Sequence, residues 1–231
     1  MHDAVRQAIA TRRSVRGFRP DPVPDAVLRD ILAVSARAPS ATNTQPWRVH
    51  VLTGRARNRL CDAVIAARDA GSEPPPEYAY YPDAWREPYL SRRRKVGFDM
   101  YALLGIDRRD LDARHAQHTR NFRFFDAPVG MMFTIDRDMG LGAYLDLGMF
   151  MQNVMTAARG YGLDTCPQAA WAGYHAVIRA ELGLPDAALV MCGMALGWAD
   201  ESLKVNTLAT ERARLEEYAT FLSMTHDRPQ D

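Results

Sequence analysis

Several things that would point this chain outward are missing from it. It has only three cysteines in 231 residues, Cys61, Cys166 and Cys192. They are odd in number, widely separated and form no Cys-x-x-Cys, so no disulfide framework is indicated and a reducing cytoplasm is the expected compartment. Net charge is nearly absent: 29 Lys and Arg against 28 Asp and Glu leave +1. No global field therefore recruits nucleic acid or an anionic membrane. The apolar run Leu145 to Met151 is interrupted by Asp146 and falls far short of a membrane span. The polar start, Met1-His2-Asp3, runs into a helical pattern rather than a signal peptide. Gly-x-Gly-x-x-Gly and Gly-x-x-x-x-Gly-Lys are absent, which disfavours Rossmann and P-loop sites. So is Gly-x-Ser-x-Gly, the elbow of a serine hydrolase. The expectation is a soluble cytoplasmic protein that binds neither nucleic acid nor membrane.

What is present begins with 47% hydrophobic content, enough for one sizeable core over residues 1–231. Its most distinctive stretch is Pro39-Ser40-Ala41-Thr42-Asn43-Thr44-Gln45-Pro46-Trp47. Two prolines and several hydroxyl and amide side chains cannot continue a helix, because Pro lacks the donor and Ser, Thr and Asn compete for backbone groups. The result is an ordered polar loop, suited either to gripping a polar heteroaromatic ligand or to a capped turn anchored by Trp47. The second such stretch is Arg12-Arg13-Ser14-Val15-Arg16. Guanidinium forks match phosphate oxygens, and an extended course puts Arg12, Ser14 and Arg16 on one face. A second basic cluster runs from Arg92 to Lys95.

Apolar spacing predicts helices at 4–10, with Asp3 as N-cap, and at 25–37, ending before Pro39. A strand follows at 48–52 with Val49 and Val51 on its inner face, then a helix capped by Thr53 with Leu60, Val64 and Ala67 inward. Prolines and aromatics over residues 71–105 read as an excursion, a lid or a subunit contact, folding back through a helix at 86–104. Another helix starts at Asp107 and carries His115, His118 and Phe122; a buried strand occupies 129–135. The helix at 141–162 is apolar nearly all round, so it is central to the core or to a subunit interface, with Gly162 as its C′ residue. A short helix at 174–182 and a central strand at 187–196 follow, then a polar arm over 200–231 whose Leu215, Tyr218, Phe221 and Leu222 need something to pack on.

His115-x-x-His118 has helical spacing, yet no third ligand stands near it in sequence, so no metal is expected. Cys166 before Pro167 reads as a buried small hydrophobe rather than a nucleophile.

The Arg-x-Ser-x-Arg segment and the Pro-Ser-x-x-Asn-x-Gln-Pro-Trp loop together resemble the nitroreductase family of flavin enzymes. The resemblance extends in order through Asp126-Ala127-Pro128-Val129-Gly130, Gly162 to Trp171 and Gly193 to Trp198, and is nearest the nitrobenzoate and nitroaromatic branch. It implies an α+β fold: a central, mostly antiparallel sheet flanked by helices, with a C-terminal arm exchanged in a homodimer. It implies flavin mononucleotide (FMN) as cofactor and NAD(P)H as co-substrate. Nitroaromatic or quinone-type acceptors would be reduced by ping-pong hydride transfer through flavin N5. No protein residue is then catalytic, the chemistry being the cofactor's. By resemblance Arg12, Ser14 and Arg212 hold the phosphate and Arg16 the N1/O2 edge, with Arg13 in the same cofactor-binding segment. Pro39, Ser40, Ala41, Asn43 and Gln45 come from the partner subunit, and Asn121 and Arg123 approach the pyrimidine edge. Pro167, Gln168, Ala169 and Ala170 lie beside N5. The arm departs from the family's Asn-x-x-Arg-Thr, having Ala209 where that Arg stands. Rival readings on the same fold are enone reduction, dehalogenation and flavin fragmentation, and, outside enzymes, a flavin-binding protein without turnover.

Overall fold

The two most apolar stretches of the sequence lie side by side at the centre of the molecule. The computed structural model describes residues 2–72 and 75–222. Its antiparallel sheet has the spatial order β1-β2-β4-β3, with β1 Arg48–Thr53, β2 Val129–Asp136, β3 Asp164–Gln168 and β4 Ala188–Gly197. The inner strands β2 and β4 are buried along almost their whole length because helices cover both faces. On one face, Met131, Phe133 and Met194 pack with Ile31 of α2 (Asp25–Ser35) and Phe150 and Val154 of α6 (Gly142–Gly160). On the other, Met132 and Ala195 pack with Leu60 and Val64 of α3 (Gly54–Asp69), Ile178 of α7 (His175–Leu182), Phe124 and Trp171. With α1 (His2–Thr11), α4 (Tyr89–Leu103) and α5 (Leu111–Thr119), this is the expected α+β arrangement of helices around an antiparallel sheet. No helix among the described residues is long and apolar enough to cross a membrane.

Two expected caps are not made, since Asp3 lies within α1 and the Thr53 side chain accepts no hydrogen bond from α3, and four elements need correction as well. First, Asp164–Gln168, which carries no period-2 signal and contains Pro167, is an edge strand. Proline is tolerated there, and the strand's free edge takes the backbone of Ser14 and Val15. Second, the helix expected from Asp107 begins at Leu111, because the Asp110 carboxylate accepts the Ala113 N–H and caps it. Third, Phe122 belongs not to that helix but to a tight turn over 120–126. There Phe124, Phe125 and Asp126 take φ of 52°, 52° and 69°. This bend lays the Phe124 ring on Gly130, where any Cβ would collide with it. Fourth, Val51 on β1 is exposed while Leu52 on the opposite face is buried, so the alternation is incomplete on this edge strand.

The long helix α6 is central to the core along one face and exposed along another. Leu147, Phe150, Val154 and Ala158 are buried, while Leu141, just before it, and Leu145 are 80% and 73% exposed. It closes as the sequence implies: Gly162 has φ +70°, its N–H donates to Arg159 O, and Leu163 N–H donates to Ala158 O.

Candidate functional site

After α1, the chain runs extended past the free edge of β3. Val15 donates to Thr165 O and is fully buried. Alternation then turns Arg12, Ser14 and Arg16 the other way, into a cavity of about 330 Å³. Arg13 also borders it, with its guanidinium held by Glu201 at 2.8 Å and by Asn206 O at 2.9 Å. Arg16 donates to Ser14 O at 3.1 Å. The arm contributes Arg212, bonded to Thr210 Oγ1 at 2.7 Å, so the Arg expected from the arm does reach the cavity despite Ala209. Sequence reasoning did not place Arg92 and Lys95 of α4, yet they form the opposite wall. Their helical spacing as a basic cluster was the only signal. Lys95 meets Asp99 at 2.8 Å and Glu211 at 3.5 Å, and Arg92 meets Glu217 at 2.9 Å. Six cations thus border a space lined by two carboxylates, Asp99 and Glu211.

Asn206 ties the cavity together. Its Oδ1 accepts the Arg16 N–H at 2.9 Å, and its Nδ2 donates to Gly17 O at 2.7 Å and to Asp200 O at 2.9 Å.

The Pro39–Gln45 loop does not border this cavity. It projects from the surface, with Ala41 to Gln45 exposed and Thr42, Asn43 and Gln45 at φ of 47°, 59° and 50°. It is nonetheless braced. Gln45 N–H donates to Ser40 Oγ, and Trp47 stacks on Phe150 with centroids 4.8 Å apart. Ala41 N–H donates to the buried Asp146 carboxylate at 3.2 Å. The sequence showed Asp146 only as a break in an apolar run.

Beyond β3, Gln168 is buried and its side chain is fully engaged, donating to Asn121 O at 2.7 Å and accepting from Trp171 Nε1. Pro167 is half-buried. Ala169 and Ala170 open onto a second cavity, of about 220 Å³, faced by Tyr80, Tyr81 and His118. Asn121 reaches this region through its carbonyl. Arg123 does not: its guanidinium bonds Asp62 of α3 at 2.6 Å, on the far side of the turn.

Three other groups are accounted for. Burial pushes the Cys166 thiol up to about 11, with Arg16 acting against it, and Cys61 and Cys192 likewise rise to about 11 and 12. None is a thiolate near neutral pH. His115 and His118 each turn Nδ1 to the Arg68 guanidinium, at 3.0 and 3.1 Å, so a protein cation sits between them. Glu77, at the start of the excursion, is nearly buried between Arg137 and Arg179 at 2.7 and 2.8 Å. Burial raises its pKa, but those two guanidiniums outweigh it and hold it below the ordinary value. This cluster pins the excursion to the core.

Fold and site together describe an antiparallel-sheet protein with a cation-rimmed cavity beside its edge strand β3. Residues 9–198 match the model of the Nitroreductase family, and the chain belongs to that family. It is 46% identical over 215 residues to a chloronitrobenzene nitroreductase from Comamonas testosteroni, covering 93% of this chain and 95% of the relative. It is 38% identical to a 4-nitrobenzoate reductase from Nocardioides sp. over 95% of this chain and 90% of that one. Among solved structures, an FMN- and NADPH-dependent nitroreductase from Sphigopyxis sp. strain HMH superposes with a TM-score of 0.92 at 41% identity, covering 95% of this chain and 99% of that one. An FMN-dependent nitroreductase from Mycobacterium smegmatis, in complex with NADPH, also gives 0.92, at 33% identity over 96% and 99%.

Proposed function

We propose that this chain is an FMN-dependent oxidoreductase that uses NAD(P)H to reduce nitroaromatic or quinone-type acceptors. The observation that carries the reading is the convergence of Arg12, Ser14, Arg16, Arg92, Lys95 and Arg212, from three separate segments, on one cavity. A surplus of forked and point cations suits a phosphate dianion. From the Ser14–Thr165 bridge, four residues of β3 lead to Ala169, about 13 Å at the rise of a strand. There small side chains leave room for a flat ring. The names of the relatives and of the solved structures support the same reading.

In this reading Arg12, Ser14, Arg92, Lys95 and Arg212 hold the phosphate, and Arg13 braces the wall through Glu201 and Asn206. Arg16 supplies positive charge toward the ring, where negative charge develops. Pro167 to Ala170 line the ring's edge, with Asn121 fixing Gln168. Bound there, FMN would supply the two-electron carrier chemistry that lets nicotinamide and acceptor use one slot in turn. The chain's own part is charge, orientation and exclusion of water, so no side chain is assigned a catalytic role and no metal is needed.

The functional unit is a homodimer. Leu145 and Met149 on α6, with Leu141 before it, and Val5 and Ile9 on α1 are exposed large hydrophobics that a second copy would cover. The Pro39–Gln45 loop would be presented to the partner's cofactor, and the arm exchanged. The test is the visible spectrum of the purified protein under anaerobic NADPH, then a nitroaromatic. Flavin peaks that bleach and recover support the reading. A colourless protein that FMN cannot reconstitute overturns it, and a yellow one indifferent to both nicotinamides reduces it to a carrier.

A further inference from the structure

Resting on that reading, we infer that His118 is an acceptor-binding residue: its Nε2–H donates a hydrogen bond to a nitro or quinone oxygen of an aromatic acceptor held between Tyr80, Tyr81 and the Ala169–Gly173 wall. The cavity of about 220 Å³ is walled by aromatic rings and by small residues. Tyr80 and Tyr81 meet edge to face at 4.7 Å on one side, and Ala169, Ala170, Ala172 and Gly173 leave the other side open to a ring.

The polar groups bordering the slot are unequal. The Glu77 carboxylate is occupied by Arg137 and Arg179, and the Tyr78 hydroxyl donates to Met191 O. The Tyr80 and Tyr81 hydroxyls also belong to residues of the wall, but a hydroxyl both donates and accepts and its proton is not fixed in direction. His118 differs because of Arg68. A guanidinium only donates, so the imidazole nitrogen facing it, 3.1 Å away, must be an unprotonated acceptor. The proton of the neutral ring therefore sits on the other nitrogen, whichever way the ring is drawn. Arg68 also bonds His115 at 3.0 Å, and the His118 ring lies edge-on to Phe122 with centroids 5.8 Å apart, so its orientation is held from two sides. Burial, Arg68 and His115 all hold the His118 pKa below the ordinary value, which keeps the ring neutral. Nitro and quinone oxygens accept and never donate, so a fixed N–H is the complementary group, whereas a bare nitrogen or a carboxylate would repel them. His118 thus selects planar acceptors that carry an oxygen at the ring's rim.

The experiment compares His118→Phe, which keeps an aromatic edge on Phe122 but loses the donor, with His118→Gln, which restores an N–H. Nitrobenzene is titrated into the oxidised protein without nicotinamide, and binding is read by tryptophan quenching. The two half-reactions are then followed separately by flavin absorbance. For His118→Phe the expected result is a dissociation constant for nitrobenzene raised roughly five- to tenfold, as for loss of one neutral hydrogen bond. Reoxidation by nitrobenzene slows to match, bleaching by NADPH keeps its rate, and His118→Gln recovers part of the loss. Unchanged nitrobenzene affinity in His118→Phe overturns the inference, and so does an equal slowing of both half-reactions. A wild-type protein that never holds FMN would fail the functional reading instead, and the nitrobenzene titration would still decide the role of His118.

Discussion

Asn206 is 3% exposed, and its side chain accepts from Arg16 N–H and donates to Gly17 O and Asp200 O. Replacing it with Ala removes the partner of Arg16 N–H and of Asp200 O, while Gly17 O keeps the Asp200 N–H, at about 1–3 kcal/mol for each group that water cannot reach. Asn206→Ala should therefore lose roughly 2–4 kcal/mol in a denaturant titration and release FMN more readily. The cavity arginines should behave differently. Arg12→Ala or Arg16→Ala should fold normally yet hold FMN at least tenfold more weakly, since a charged hydrogen bond contributes about 1.5–3 kcal/mol. Normal flavin occupancy in both variants would reject the assignment of that segment. Two histidines set a pH dependence. Burial first, then Arg48 for His50 and Arg68 with His115 for His118, holds both rings below the ordinary value. As pH falls, the unfolded chain therefore takes up protons before the folded one. Stability is complete above about pH 6.5 and declines below it. Denaturation midpoints followed from neutral to acid pH check this, and the decline should be shallower in His118→Gln.

Among the elements, β4 shows why a glycine sits in an otherwise continuous apolar strand. A Cβ on Gly193 would run into the Trp171 indole, which also stacks on Phe124 with centroids 4.3 Å apart. Gly193→Ala should destabilise by about 1–3 kcal/mol, as overpacking does. Because Trp171 Nε1 donates to Gln168, the Ala169–Ala170 wall should shift with it, visible as altered tryptophan emission. The arm is attached unevenly. Its ion pairs to α4, Arg92–Glu217 and Lys95–Glu211, are exposed and contribute about 0–1 kcal/mol each. The Asn206 knot is the firm attachment, and Tyr218, Phe221 and Leu222 beyond it are 71%, 82% and 92% exposed. A chain ended after Leu208 should keep the knot and fold, but lose Arg212 from the cavity and weaken the dimer.

At the scale of the whole molecule, the exposed row Leu141, Leu145 and Met149 recurs every four residues, one stripe along α6 beside the loop that Asp146 braces. Leu145 is 73% exposed, so Leu145→Glu costs the isolated chain little, while a dimer would have to bury the charge. On the proposed homodimer, the expected outcome in sedimentation is a folded monomer with poor FMN retention, because each cofactor would lose the loop proposed to come from its partner. A variant that remains dimeric and fully loaded would show that another face forms the interface.

Local pattern settled much of this protein in advance. The buried strands β2 and β4, helices α2 and α6 with the Gly162 stop, and the Arg12–Arg16 segment could be read directly, because each depends on residues within a turn or two of one another. The contents of the site depended on the tertiary structure, because the deciding contacts join residues far apart in the chain. Arg16 and Asn206 are 190 positions apart, Ala41 and Asp146 are 105, and Arg68 and His118 are 50. No period in the sequence relates them. Pro167 could sit in a strand only because the chain places that strand at the edge of the sheet, and the basic turn of α4 became a wall of the cavity because the Arg12–Arg16 segment and Arg212 of the arm are brought to face it.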